Sequence, residues 1–255
     1  MESPQASPRE EVSLMPKPQH DLTWFQWPDN GSGQPYEGAV TLSFDDGRPS
    51  QWELALPVLN PRGLRATFYV PAMKDRLHDH ADVWRAAVAQ GHEVGNHTVR
   101  HRCSANFQFC KPEECLEFLT LAQIEEDVLE ASRQIRQVIP RQEGFTFCYP
   151  CYQSYVGMGE TRQSYVPVIA RNFIAARGRG EVANHPELVD LHYLCSQPFY
   201  DAPASAMIQE IEQGVAKGCW AILTFHGIVR EPVGRATLER ELAAVADHLV
   251  AHKRR

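Results

Sequence analysis

Two adjacent carboxylates and a glycine, Asp45-Asp46-Gly47, follow an apolar, β-branched run that begins at Ala39. Such a run predicts a buried parallel strand whose carboxyl end brings charge to the rim of an α/β fold. Neighbouring side chains on a strand point to opposite faces, so the two acids share one pocket only if the chain turns, which Gly47 allows. Carboxylates in one pocket repel each other unless a cation lies between them, which suggests further metal ligands. The alternative is an ordinary acidic loop after an edge strand.

Two histidines four residues apart, His97 and His101, follow a short predicted strand. On a helical turn this spacing puts both imidazoles on one face, where they can bind one metal ion. The chain has 11 histidines, so a chance pair is the alternative. One carboxylate and two imidazoles leave coordination positions open, which is typical of a catalytic site, and the second carboxylate can then act as a base.

A third signal is His226, which ends a strongly apolar run near the C-terminus. A histidine at the end of a buried strand can protonate a leaving group, although a single one there is more often a hydrogen-bonded core residue. Because it accompanies the acid pair and the histidine pair, the interpretation favoured here is catalysis.

The elements that must position these residues alternate between strand and helix patterns. Strands are predicted at 39–44, 66–70, 93–96, 145–149, 173–176, 188–194 and 220–225, and helices at 51–59, 82–90, 121–138, about 207–218 and about 237–252. Repeated strand–helix units predict an α/β fold, a closed or nearly closed barrel of parallel strands with outer helices. The candidate residues all fall at strand carboxyl ends, which meet at one face of such a barrel.

Length and composition limit the function classes. The 255 residues predict one catalytic domain, 38–255, after a proline-rich irregular arm, 1–37, whose aromatic cluster at 24–27 anchors it or lines a groove. The net charge of −7 argues against a nucleic-acid partner. No apolar run is long enough for a membrane span, and the first residues do not resemble a signal peptide. We therefore expect a cytoplasmic protein, or an exported one whose leader is missing.

The cysteines give a weaker indication. There are seven at irregular spacings, which predicts neither a disulfide scaffold nor a zinc finger and favours a reducing compartment. The sequence does not indicate an oligomeric state.

Three segments resemble motifs of the polysaccharide deacetylases with a NodB-homology domain, carbohydrate esterase family 4. They are Leu42–Gly47, Asn96–His101 and Ile222–His226, similar to the first, second and fifth motifs. The resemblance covers about residues 38 to 230. It implies a distorted (β/α) barrel and one divalent metal, most often zinc with manganese, cobalt or nickel as alternatives, bound by Asp46, His97 and His101. It also implies that Asp45 is the base and His226 the acid in removing acetyl groups from an acetylated sugar or polysaccharide.

The third family motif is altered. It usually reads Arg-x-Pro-Tyr, but here Cys148 stands in place of the arginine and Cys151 in place of the tyrosine. The backbone N–H of Cys151 can still hold an oxyanion, and we predict that Arg177 replaces the missing partner of Asp45. Cys151, Tyr152 and Arg177 are thus the candidate oxyanion or substrate residues. A redox or zinc Cys-x-x-Cys pair is the alternative to a packed pocket wall.

The remaining segments leave alternatives open. For the acidic fourth motif the best candidate is Asp190. An insertion at 102–120 with three cysteines, Cys103, Cys110 and Cys115, is interpreted as a lid, a substrate wall or a disulfide loop, and the loop 153–161 is predicted to lie beside the site. Hydrolysis of a non-sugar amide or cyclic imide, or glycan binding without catalysis, are the alternatives to deacetylation.

Overall fold

The computed structural model describes residues 26–142 and 144–253. Trp24 and Phe25 of the aromatic cluster, and most of the predicted arm, lie outside the described residues. The strands are β1 Ala39–Asp45, β2 Ala66–Val70, β3 Glu93–Asn96, β4 Phe147–Cys148, β5 Tyr155–Val156, β6 Gln163–Ser164, β7 Ala176–Arg177, β8 Gln197–Pro198, β9 Trp220–Phe225, β10 Gly227–Val229 and β11 Ala236–Leu238. The α-helices are α1 Leu56–Leu59, α2 Ala81–Ala89, α3 Leu121–Val138, α4 Val166–Asn172, α5 Ala204–Val215 and α6 Glu239–Ala251. A π-helical turn, Gln51–Ala55, leads into α1.

Seven parallel strands form the central sheet, in the order β7-β4-β3-β2-β1-β9-β8. The segment 194–198 reaches both edges of this sheet, since Leu194 pairs with Arg177 on one side and Gln197 pairs with Leu223 of β9 on the other. The sheet therefore curls into a distorted barrel with the helices outside, and the predicted fold class is confirmed. None of the helices in the described ranges combines the length and the apolar character that a membrane span requires.

Alternation along β1 separates the two faces of the barrel wall. Phe44 points outwards and packs against Phe68 and Phe225, with ring centroids 5.0 and 5.2 Å away. Its neighbours Ser43 and Asp45 point to the other face and are also buried. A carboxylate is thereby delivered inside the barrel while the aromatic side chains form the core between the sheet and the helices.

The end of β3 is fixed by α3. This helix begins with a capping box, in which Thr120 accepts from the Gln123 N–H and the Gln123 side chain accepts from the Thr120 N–H. The buried Asn96 side chain donates to the Val128 carbonyl and the Ser132 hydroxyl at 2.9 Å, so the residue before His97 is held in place.

Three predicted strands are wrong, shifted or shortened, and one helix was not predicted. Residues 188–194 form turns with Leu188 largely exposed, and the strand lies later, at Gln197–Pro198. The strand predicted at 173–176 begins at Ala176, and the one at 145–149 is shortened to Phe147–Cys148. The missed helix, α4, has only seven residues and a proline in its first turn, so its periodic signal is short.

Candidate active site

The two carboxylates at the end of β1 face one cleft because the chain turns between them. Asp46 itself has a left-handed backbone, with φ of 76°, and Gly47 follows with φ of 57°. A side chain at Gly47 would meet Val70, so this turn leaves no room for a Cβ. The Gln51 amide donates to the carbonyls of Asp45 and His226 at 2.5 and 3.1 Å, which ties the ends of β1 and β9 together.

Asp46, His97 and His101 form a cluster whose ligand atoms lie within 4.8 Å of one another. Asp46 Oδ1 is 3.8 Å from His97 Nε2 and 3.3 Å from His101 Nε2. The prediction that the histidines share a helical turn is wrong: residues 97–101 form an irregular loop in which Thr98 and His101 have φ of 61° and 48°. The Thr98 hydroxyl accepts from the His101 N–H, and this local bond closes the loop.

Electrostatics favours a neutral His97 beside an ionised Asp46. Complete burial, aided by the neighbouring His101, lowers the pKa of His97 to about 4. Its Nδ1 lies 2.9 Å from the Cys148 carbonyl, which requires the proton on Nδ1 and leaves the Nε2 lone pair directed at Asp46. Burial opposes the charge on Asp46, but the hydrogen bond from His101 and the nearby imidazoles hold the pKa of this carboxyl well below its usual range. Arg48, which the sequence did not single out, donates to the other oxygen at 2.7 and 3.0 Å.

Asp45 forms a buried ion pair with Arg177. Burial opposes the charge on this guanidinium, but the Asp45 carboxylate raises its pKa further above the ordinary value. Cys148 and Arg177 are direct partners in the register of β4 and β7, so the arginine reaches Asp45 from the strand next to the one that carries the third motif. Cys148 Sγ lies 3.7 Å from Asp45 Oδ2, and burial raises the pKa of its thiol well above the usual value.

His226 lies across the cleft from Asp45, with Nε2 3.9 Å from Oδ2. Burial lowers the pKa of His226, while the charges of Asp45 and Asp46 act in the opposite direction. The Tyr200 hydroxyl, another residue that the sequence did not indicate, is 3.4 Å from Nε2. Asp190 is not brought to this site: its largely exposed carboxylate accepts from the His192 N–H instead.

Cys151 and Tyr152 both line the cleft in left-handed conformations, with φ of 52° and 60°. Cys151 forms a disulfide with Cys103, 48 residues away, with 5.7 Å between the Cα atoms. The Cys148–Cys151 redox or zinc pair is therefore excluded. The insertion is held by a disulfide, but the bond joins it to the third-motif loop, and its own Cys110 and Cys115 are free. The disulfide also removes the basis for expecting a reducing compartment, because that expectation assumed unpaired cysteines.

The cleft that contains these side chains has a volume of about 910 Å³. Phe107 and Phe109 from the insertion at 102–120 form part of its wall, as the substrate-wall interpretation predicts. The loop 153–161 contributes none of the described lining residues, so the prediction that it borders the site is wrong. Its Gly157 N–H bonds to the Leu116 carbonyl, and the segment pairs with β6 in a separate hairpin.

Sequence comparison matches residues 32–157 to the polysaccharide deacetylase family. The chain resembles this family over 126 residues, just under half of its length. The match includes the Asp45-Asp46 pair, both site histidines and the Cys151-Tyr152 turn, while Arg177 and His226 lie beyond it.

Two similar proteins are chitooligosaccharide deacetylases. The one from Sinorhizobium fredii is 36% identical over 114 residues, which is 44% of this chain and 45% of that protein. The one from a Bradyrhizobium strain is 35% identical over 104 residues, or 40% of this chain and 41% of that protein. The matches thus span less than half the length of either relative.

Solved structures of family 4 carbohydrate esterases share the fold. An acetyl xylan esterase from Clostridium thermocellum in complex with a cobalt ion has a TM-score of 0.52 at 20% identity, covering 84% of each chain. An esterase from Streptomyces lividans in complex with acetate has a TM-score of 0.50 at 17% identity, covering 84% of this chain and 87% of the other. The distorted barrel of this chain is therefore the fold of these esterases.

Proposed function

We propose that this chain is a metal-dependent hydrolase that removes acetyl groups from an acetylated sugar or glycan. The observation that carries the proposal is one cleft that holds an acid with two imidazoles, a second acid paired with a buried arginine, and a third imidazole opposite. These groups come from the carboxyl ends of four strands, β1, β3, β7 and β9, and catalytic side chains in β/α barrels lie at strand carboxyl ends.

The donor set fits a divalent metal. Asp46 and the two histidines offer one carboxylate oxygen and two ring nitrogens within 4.8 Å of one another. The hydrogen bond from His97 Nδ1 to the Cys148 carbonyl presents the unprotonated nitrogen to the cluster, as a metal ligand requires. Zinc suits this mixture of oxygen and nitrogen ligands, with cobalt, nickel or manganese as alternatives. When bound, the ion would polarise the acetyl carbonyl and make water a stronger nucleophile.

Asp45 is the proposed base. Its Oδ1 is bound by Arg177, which fixes the orientation of the carboxylate, while Oδ2 faces the cleft side that holds His226. From there it can take a proton from water. His226 Nε2 is on the opposite side, where it can give a proton to the departing amine or alkoxide.

The oxyanion would be held by the Cys151 N–H. Within the described residues this amide has no hydrogen-bond acceptor, whereas the next one, of Tyr152, donates to the Tyr149 carbonyl. The left-handed backbone at Cys151 and its disulfide to Cys103 support a fixed orientation for the free N–H. Because Arg177 supplies a cation to Asp45, the reason for expecting a glycan-binding relative without catalysis is weakened.

Acetate release tests the proposal. The metal-loaded protein is assayed with acetylated chitooligosaccharides, acetylated xylan and a cyclic imide, each with zinc, cobalt, nickel or manganese. We expect acetate from a glycan, and a loss of roughly 100-fold or more in kcat for Asp45→Asn. Asp190→Asn, an exposed acid outside the cleft, is the matched control and should keep wild-type rates. Hydrolysis of the imide alone, or full activity in Asp45→Asn, would overturn the proposal.

A further inference from the structure

Two arginines at the mouth of the cleft, Arg179 and Arg235, have no ion-pair partner within the described ranges. They come from different elements, since Arg179 follows β7 and Arg235 immediately precedes β11. The Gly180 N–H donates to the Ser196 carbonyl, which continues the pairing of β7 beyond its last residue. Because alternate residues of an extended chain share a face, Arg179 lies on the same side as Arg177 and one step nearer the mouth.

The acids deeper in the cleft already have cations. Asp45 is paired with Arg177, and Asp46 is bound by Arg48 and would also bind the metal. In the described part of the chain, Glu181 is the one other carboxylate that lines the cleft. The mouth of the cleft is therefore positive, although the whole chain has a net charge of −7. A local field of opposite sign to the rest of the surface attracts an anionic ligand.

Aromatic side chains lie in the same cleft. Phe107 and Phe109 have ring centroids 5.5 Å apart, and Phe109 is 66% exposed although it is large and apolar. An exposed aromatic ring in a cleft can stack against the apolar face of a sugar ring. The combination of aromatic wall and guanidinium groups fits a sugar that carries a negative charge.

We propose that Arg179 and Arg235 form an anion subsite, and that the substrate is an acetylated glycan with a carboxylate on or next to the acetylated sugar. This inference rests on the deacetylase function proposed above. The planar guanidinium suits a carboxylate because it can donate two parallel N–H bonds to the two oxygens. A neutral glycan offers these arginines no such partner.

The test uses two substrates that differ only in charge. One is the disaccharide of N-acetylglucosamine and N-acetylmuramic acid, and the other is the same disaccharide with its carboxyl group reduced to an alcohol. At low salt we expect kcat/KM for acetate release to be about tenfold higher for the acid, since each exposed pair contributes modestly. The preference should shrink in about 0.5 M NaCl, where surface charges are screened.

Variants assign the preference to the two arginines. The double variant Arg179→Gln/Arg235→Gln should lose it, because the KM for the acid rises to that for the neutral substrate. The control Arg133→Gln/Arg171→Gln removes the same charge from exposed positions on α3 and α4, outside the cleft, and should keep it.

The outcomes separate this inference from the proposed function. Equal rates for the two substrates, or a preference that survives in the double variant, would overturn the anion subsite and leave the deacetylase intact. If neither substrate releases acetate, the deacetylase proposal fails for these sugars, and calorimetric binding of the same pair decides the subsite separately. Tighter binding of the acid by the wild type but not by the double variant supports it, and equal binding contradicts it.

Discussion

Removing the guanidinium of Arg177 should damage both stability and activity. In the ion pair with Asp45 the two side chains are only 1% and 3% exposed, so Arg177→Met leaves a buried carboxylate without its cation. Breaking a buried pair in this way costs about 3–5 kcal/mol of unfolding free energy. For a domain of this size that corresponds to a fall of roughly 10 °C in Tm. The Asp45 carboxylate also loses the group that fixes its orientation, and we expect kcat to fall about 100-fold or more.

The assay must separate lost folding from lost chemistry. Acetate release is measured well below the Tm of the variant, after circular dichroism has shown that the protein is folded. Arg171→Met, at an exposed arginine of α4, is the matched control and should change neither quantity. A wild-type kcat together with a wild-type Tm in Arg177→Met would refute the idea that Arg177 supports Asp45.

An exchange variant examines the same reasoning from the other direction. Cys148 and Arg177 are paired across β4 and β7, so Cys148→Arg/Arg177→Cys moves the arginine to the neighbouring strand with almost no change in total volume. We expect the double variant to recover at least about tenfold in kcat over Arg177→Cys alone, because Asp45 regains a cation from the adjacent strand. No recovery would show that the two positions are not interchangeable.

Three further predictions concern the metal cluster and the disulfide. His97→Gln should weaken zinc binding, measured by calorimetry, by about 100-fold or more, whereas His185→Gln at an exposed position should not; equal affinities would contradict the ligand assignment. In metal-free protein, burial and His101 hold the pKa of His97 at about 4, against about 6.5 when unfolded, so the unfolded state binds the extra proton. The free energy of unfolding therefore has its full value above pH 6.5 and falls by about 3 kcal/mol between pH 6.5 and 4. We expect a smaller fall over this range in His97→Gln, and the same pH dependence in the wild type and the variant would contradict the prediction. Cys103→Ser opens a loop of 48 residues and should cost about 4 kcal/mol in denaturant unfolding, a loss that dithiol reduction of the wild type should reproduce, and unchanged stability would argue against the pairing.

The sequence predicts best the parts of the fold that are fully buried. The strands Ala66–Val70, Glu93–Asn96 and Trp220–Phe225 and the helix Leu121–Val138 lie where their patterns predict them. The strands read as short apolar runs because both faces are covered, and the helix has a capping box at its start and Pro140 just beyond its end. Edge strands such as Gln197–Pro198 are two residues long and have no such signal.

Contacts between residues that are far apart in the sequence could not be predicted from local sequence patterns. Nothing near Tyr200 in the sequence indicates that its hydroxyl meets His226, and the pairing of Cys103 with Cys151 depends on how two loops from different strands converge. Arg177 is an exception among these long-range contacts. The altered third motif lacks the arginine that would pair with Asp45, and Arg177 directly follows a predicted strand.

The backbone of the cleft departs from ordinary conformations where the chemistry is proposed. Of seven described non-glycine residues with positive φ, five line the cleft, namely Asp46, His101, Cys151, Tyr152 and Arg235. Side chains rarely adopt this region, and each such residue costs of order 1 kcal/mol. Glycine would relieve that cost but would remove the carboxylate, imidazole or guanidinium that the position carries. The buried sheet, the disulfide and the Asn96 contacts with α3 supply the rigidity that holds these conformations, so the site depends on the whole barrel rather than on its loops alone.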